Sequence, residues 1–335
     1  MLAFALLGAG RIGRLHAANI AAHPNARLAA VADAVPAAAE EVAARHGART
    51  ASVEDALASA EVDAVLIATS TDTHAPLIEA AAAAGKAILC EKPIDLDIAR
   101  ATAAVRAARA AGVALAVGFN RRFDASFASL KARLDAGAIG APEIVAIASR
   151  DPAPPPLSYV EVSGGLFRDM MIHDLDMARW LLGEEPVEVH AMGSALVDPA
   201  IAAAGDVDTA VVTLRTASGR LAQISNSRRA AYGYDQRIEV HGSGGMLRAE
   251  NLRPTTVELA TADGFVRDPV LHFFLERYGP AYRAELDAFV TAVAAGSPPA
   301  PTGEDGLAAL RLADAAQASL ASRAPVSLAD RTDGR

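Results

Sequence analysis

The chain has 335 residues, long for one compact domain, so about two are expected. Hydrophobic residues make up 52% and charged residues 21%, a balance that excludes a disordered chain. Lys plus Arg total 31 against 40 Asp plus Glu; the net charge of −9 argues against a nucleic-acid binder and towards a small-molecule partner. One cysteine excludes a disulfide framework and a Cys-based zinc site. No basic segment precedes the apolar first residues, and no uncharged apolar run reaches about 18 residues. The expectation is a cytoplasmic protein with no leader and no membrane span.

The first 118 residues alternate apolar runs with alanine-rich helical patterns. Strands are expected at Ala3–Leu7, Leu28–Ala32, Val62–Ala68, Ala87–Cys90 and Ala114–Gly118. Each is a near-continuous apolar run, as a parallel sheet covered on both faces requires. Helices are expected at Arg11–Ala22, Pro36–His46, Ala75–Ala84 and Asp95–Ala111, three of them followed by Gly47, Gly85 or Gly112. This rhythm reads as a doubly wound α/β domain over 1–118.

After Gly118 the pattern changes, and 119–335 reads as a second, α+β domain. A helix is expected at Asp124–Ala136 and a strand at Glu143–Arg150; the proline-rich 151–156 must be a loop. A helix over Asp169–Leu182 closes at Gly183. Strands follow at Val187–Val197, Thr209–Thr216, Leu221–Ser227, Arg237–His241, Met246–Ala249 and Thr256–Ala260, a mostly antiparallel sheet. Helices return at Ala281–Ala295 and Asp305–Ser322, and the last dozen residues are expected to fray.

The first chemical signal is Gly8-Ala9-Gly10-Arg11-Ile12-Gly13, set between a strand and a helix. The first glycine makes a tight turn, the second admits a pyrophosphate at a helix N-terminus, and the third packs helix on strand. Asp33 ends the second strand, 20 residues after Gly13, where an acid would bind a ribose 2′-hydroxyl. A carboxylate there repels a 2′-phosphate, so NAD is expected rather than NADP. Two further strand ends run into Thr69-Ser70-Thr71-Asp72-Thr73-His74 and Glu91-Lys92-Pro93, at the edge where such folds bind ligands. Ser70, Thr71, His74, Glu91 and Lys92 join the candidate cofactor contacts. His74 is ambiguous between tying a loop and touching a cofactor, and Cys90 reads as a small core residue.

The second signal is Gly164–Asp174, in which Asp169 and His173, four apart, share one helix face. The double glycine before them would let a ligand approach closely. No third ligand supports a metal site. The third signal is the dense polar run Asn226–Arg237, suited to a polyhydroxylated ligand or to an exposed turn.

Gly8–Gly13, Glu91-Lys92-Pro93, Gly118-Phe119-Asn120-Arg121-Arg122-Phe123 and Gly164–His173 together resemble the glucose–fructose oxidoreductase/inositol dehydrogenase family over essentially the whole chain. Ser149-Arg150-Asp151-Pro152, Phe167-Arg168-Asp169 and Tyr232–Arg237 are similar to the bacterial inositol dehydrogenases within it. The resemblance implies a Rossmann domain joined to an open-faced, mostly antiparallel sheet domain, assembled as a homotetramer. It implies Lys92, Asp169 and His173 as catalytic residues, with Arg122, Tyr232 and Tyr234 as further substrate contacts. The implied reaction is oxidation of myo-inositol to 2-keto-myo-inositol by NAD. Two alternatives stand beside it: a dehydrogenase of scyllo-inositol or of a sugar at its anomeric carbon, and a non-catalytic sugar or dinucleotide sensor.

Overall fold

The computed structural model describes residues 1–328. They form two compact units, one of Met1–Asn120 with Ala281–Leu310, the other of Arg121–Pro280 with the chain from Arg311 onward.

The first unit carries a six-stranded parallel sheet. Its strands are β1 (Leu2–Leu7), β2 (Ala26–Ala32), β3 (Arg49–Thr50), β4 (Ala64–Ile67), β5 (Ala87–Cys90) and β6 (Leu115–Val117), in the order β3-β2-β1-β4-β5-β6. The order reverses between β1 and β4, the place where doubly wound folds open a ligand crevice at the strands' carboxyl ends. Burial on both faces explains why β4 and β5 are apolar at every position. Helices Arg11–Ala22 and Pro36–His46 fall where the sequence pattern sets them, the second closed by Gly47 at φ +68°. Helix Val53–Ala58 was not expected; its cap is legible, since Ser52 accepts a hydrogen bond from the Asp55 N–H.

The sequence reading placed everything beyond residue 118 in the second domain, whereas the chain returns to the first unit at Ala281–Leu310. The physical reason is apolar packing. Leu286, Phe289 and Val290 are buried in one cluster with Phe4, Leu6, Leu28 and Leu66, and the Phe289 ring lies 6.0 Å from that of Phe4. The helix bearing them runs over Phe274–Ala294, starting seven residues before the expected position and passing through Pro280.

The second unit is built on a seven-stranded sheet of β7 (Pro142–Arg150), β8 (Pro186–Ser194), β9 (Thr209–Thr216), β10 (Leu221–Ser227), β11 (Asp235–Gly242) and β12 (Gly245–Ala249), completed by β15 (Val326–Ser327). All pairings are antiparallel except β7 with β10. Along β9, Ala210, Val212 and Leu214 are buried while Val211 and Arg215 face out, the alternation of a sheet covered on one side. Helix Ile172–Leu182 packs on β7 and β10. The last expected strand lies instead in a separate hairpin, β13 (Glu258–Thr261) with β14 (Gly264–Arg267). Of the end expected to fray, Val326–Ser327 is a strand paired with β8; the residues after 328 lie outside the described ones.

Candidate active site

The glycine motif is shaped by backbone contact. Gly8 has φ +99°, and a Cβ there would stand 2.4 Å from the Ala68 carbonyl oxygen. A Cβ on Gly13 would stand 1.9 Å from the Gly8 oxygen, so this glycine sets the approach of helix to strand. A Cβ on Gly10 would meet nothing within 4 Å. Gly10 is also the N-cap of the Arg11–Ala22 helix and brings no side chain to its first N–H groups. An open space facing uncapped helix N–H groups fits a pyrophosphate. Asp33 stands beside it at the end of β2. Its Oδ2 accepts from the Ala9 N–H at 2.6 Å and its Oδ1 from the Val35 N–H at 2.7 Å. Each carboxylate oxygen keeps a further lone pair for a ribose hydroxyl. Arg11 is exposed and Ile12 half-buried at the start of the same helix.

Two loops leave the neighbouring strand ends. After β4, Ser70 is exposed, and its carbonyl accepts from the Thr73 N–H and hydroxyl. Thr71 is half-buried at the start of a short helical turn. His74 is 1% exposed, with Nδ1 2.7 Å from the Pro93 carbonyl and Nε2 3.2 Å from that of Thr69. Burial pushes its pKa down, while the carbonyls of Pro93 and Thr69 pull the other way. His74 thus ties the loop, both ring nitrogens facing protein carbonyls. After β5, Glu91 accepts from His16 Nε2 at 2.8 Å, and Lys92 is joined to Pro93 by a cis peptide bond. Cys90 is fully buried and its thiol is pushed well up by burial, as a core residue rather than a nucleophile.

In the second unit Asp169 lies on a π-helical turn, Phe167–Met171, that leads into the helix carrying His173. Such wide turns recur at functional sites because they re-aim side chains. Asp169 Oδ1 accepts from the Tyr159 hydroxyl at 3.0 Å, and Oδ2 from Arg228 at 3.3 Å. Below this pair runs a buried polar network. Asp174, fully buried, pairs with Arg121 and accepts from Asn226 at 2.9 Å. Arg121 continues to Ser149, and Ser149 to Gln236. Burial raises the Asp174 carboxyl, against the pull of Arg121. Asp151 is pushed up to about 6 by burial, with Arg228 pulling the other way.

Other side chains singled out by the sequence have protein partners. The guanidinium of Arg122 grips Asp176 with two bonds of 2.8 and 2.6 Å. The Tyr232 hydroxyl donates to Asp235 at 2.6 Å, and Tyr234 is 6% exposed with its ring edge-on to Tyr278. Gly165, at φ +80°, makes room for protein and not for ligand: a Cβ would stand 2.7 Å from Asp206, whose carboxylate accepts from the Leu166 N–H. The sequence reading missed Tyr159, Arg228 and Asp151 as neighbours of Asp169, and His16 and Glu285 as neighbours of Glu91. Arg228 and Asp151 stand in segments the sequence singles out, but nothing there marks Asp169 as their neighbour; Tyr159, His16 and Glu285 stand in none. Among the described residues no cluster of His, Cys, Asp or Glu could hold a metal, and no helix is long and apolar enough to cross a membrane.

Comparison with known proteins bears on both units. Residues 2–119 match the oxidoreductase family with NAD-binding Rossmann fold, and 127–248 match the GFO/IDH/MocA C-terminal domain. The chain is 55% identical to inositol 2-dehydrogenase of Rhizobium meliloti, over 97% of this chain and 99% of that one. It is 48% identical to myo-inositol 2-dehydrogenase of Thermotoga maritima, over 96% and 97%. A crystal structure of scyllo-inositol dehydrogenase from Lactobacillus casei, with bound NAD(H) and scyllo-inositol, superposes with a TM-score of 0.90 at 32% identity, covering 98% and 99%. The chain is a member of the GFO/IDH/MocA family of NAD-binding oxidoreductases.

Proposed function

We propose that this protein is an NAD-dependent inositol 2-dehydrogenase that oxidises myo-inositol to 2-keto-myo-inositol. The observation that carries the reading is that one chain supplies both halves of the reaction. The first unit has an open, uncapped helix N-terminus beside Asp33; the second has a polar helix end bearing Asp169 and His173.

Bound nicotinamide supplies the hydride acceptor. The chain must remove the proton, hold the polyol and stabilise charge. His173 takes the hydroxyl proton, imidazole being the side chain suited to this near neutral pH. Asp169, steadied by Tyr159 and Arg228, orients the polyol through a neighbouring hydroxyl. The Lys92 ammonium stabilises the alkoxide as it forms. The balance is one inositol and one NAD⁺ consumed for one ketone, one NADH and one proton. Gly8, Gly10, Arg11, Ile12, Gly13, Asp33, Ser70, Thr71 and Glu91 line the cofactor edge in this reading.

The test is a polyol panel with NAD and with NADP, read as reduced cofactor. Myo-inositol with NAD should give the highest kcat/KM. Preference for scyllo-inositol or an aldose would move the substrate, and no turnover with any polyol would make the protein a sensor.

The uncovered sheet face completes the proposal. Ile144, Met192, Val211, Leu221 and Met246 are each at least 41% exposed; Ile144 pairs with Leu221, and Met192 with Val211. Apolar surface of this kind is normally covered by a partner, here further copies of the chain in a homotetramer. Light scattering at micromolar concentration should give four chain masses; a monomer overturns it.

A further inference from the structure

We propose that His16 and His74 are positioning residues that brace Lys92 from both sides, acting through the residues before and after it. The inference rests on Lys92 being a catalytic group.

A lysine ammonium sits on a flexible four-carbon stem, so where it acts depends on how firmly its backbone is placed. Lys92 is in the loop that leaves β5, with no regular structure of its own. The residue before it, Glu91, gives its Oε1 to His16 Nε2 at 2.8 Å. The residue after it, Pro93, gives its carbonyl to His74 Nδ1 at 2.7 Å. Both rings are 1% exposed, so neither bond competes with water. His16 is itself held, its ring edge-on to Tyr282 with centroids 5.5 Å apart. Glu91 is confined further by the residue after β6, since a Cβ on Gly118 would stand 3.2 Å from its Cα.

The two histidines come from different elements. His16 lies on the helix that starts at the glycine motif, and His74 begins the helix after β4. Lys92 is thereby tied to the helix whose N-terminus faces the cofactor and to the loop beside it. A neutral surface histidine would be indifferent to the rate; a buried one gripping each neighbour of a reacting lysine is not, because misplacement by about 1 Å can cost about 100-fold.

The test is a mutant cycle on the purified full-length enzyme, with myo-inositol and NAD, and NAD binding read by calorimetry. His16→Leu and His74→Leu should each lower kcat by about 10- to 100-fold, and calorimetry separates this from any loss of NAD affinity. His16→Gln, whose amide nitrogen can stand where Nε2 does, and His74→Asn, which matches Nδ1, should restore most of the rate. In a Lys92→Met background neither leucine substitution should lower kcat further, because the brace acts only through the lysine. Should a leucine variant fail to fold, His16→Asn and His74→Gln replace it, polar but reaching to the wrong depth. Equal losses with and without Lys92, no rescue by the matched amides, or wild-type kcat in both leucine variants would each overturn the brace. Wild-type turnover of Lys92→Met would instead overturn the lysine assignment, and the brace with it.

Discussion

The cofactor edge of the first unit and the polar cluster of the second are built from opposite materials. The first is made of backbone: glycines at close contacts, helix N–H groups, and a carboxylate held by two main-chain N–H groups. The second is made of side chains drawn from distant positions, Arg121 to Asp174, Asn226 to Asp174, Arg228 to Asp169. A backbone cradle fails when a side chain is added. A charge network fails when one partner is removed, because the other is left buried and uncompensated. Substitutions can push on this contrast from either side.

The largest effect should come from His173→Ala. Turnover should fall by about 10²–10⁴-fold, the usual contribution of a general base, while calorimetry finds NAD binding unchanged. Near-normal turnover would move the base to Lys92. Lost NAD binding would show that this helix supports the cofactor side after all.

Asp174→Leu comes next. It strips Arg121 of its buried partner and should cost about 3–5 kcal/mol of stability, read in urea unfolding. A loss under 1 kcal/mol, on the scale of an exposed pair, would mean the network is wetter than its burial implies.

Gly10→Ala probes the backbone side. The added methyl meets no protein atom, so stability should hold within about 1 kcal/mol, the range of an N-cap change. NAD affinity should nonetheless fall by about tenfold, or about 1.4 kcal/mol. Unchanged affinity would show that the pyrophosphate does not lie there. In the same region Asp33→Ser should weaken NAD and narrow the gap to NADP; a wild-type preference for NADP would overturn the reading of Asp33.

A further effect is one of pH. Asp151 is raised from 3.8 to about 6, so the folded protein holds this proton more tightly than the unfolded chain. Stability from this group is greatest below the unfolded pKa and declines as pH rises through 4 to 6. Asp151→Asn should therefore gain stability relative to wild type across that window, seen as a urea midpoint that diverges with pH. A constant difference would show that the carboxyl is already charged at pH 4.

The same contrast governs what the sequence makes legible. A backbone cradle is contiguous, so Gly8, Gly13 and Asp33 announce themselves by spacing, and the parallel sheet by unbroken apolar runs. Asp169 and His173 are visible because one helix carries both. Arg228 and Tyr159 are not, since each reaches Asp169 across 59 and 10 residues with no pattern to mark the meeting. The Arg122–Asp176 pair is silent for a related reason: its partners stand 54 residues apart. Gly165 read as room for a ligand because nothing local foretells Asp206. Register is clearer, and Thr209–Thr216 and Leu221–Ser227 fall where alternation sets them. The hairpin β13–β14 was half seen, being exposed along almost its whole length and so lacking that alternation.

The return of the chain at Ala281–Leu310 bears on how the protein is made. Domains generally fold in the order the ribosome delivers them. Here β1 is synthesised before the whole Arg121–Pro280 passage, yet Leu286, Phe289 and Val290, which share its core, come after it. The nascent glycine motif and its sheet must wait with one apolar flank uncovered while the other unit's strands are still being added. The last helices thus act as a completion signal. Until they emerge, the cofactor edge rests on a core that lacks Leu286, Phe289 and Val290.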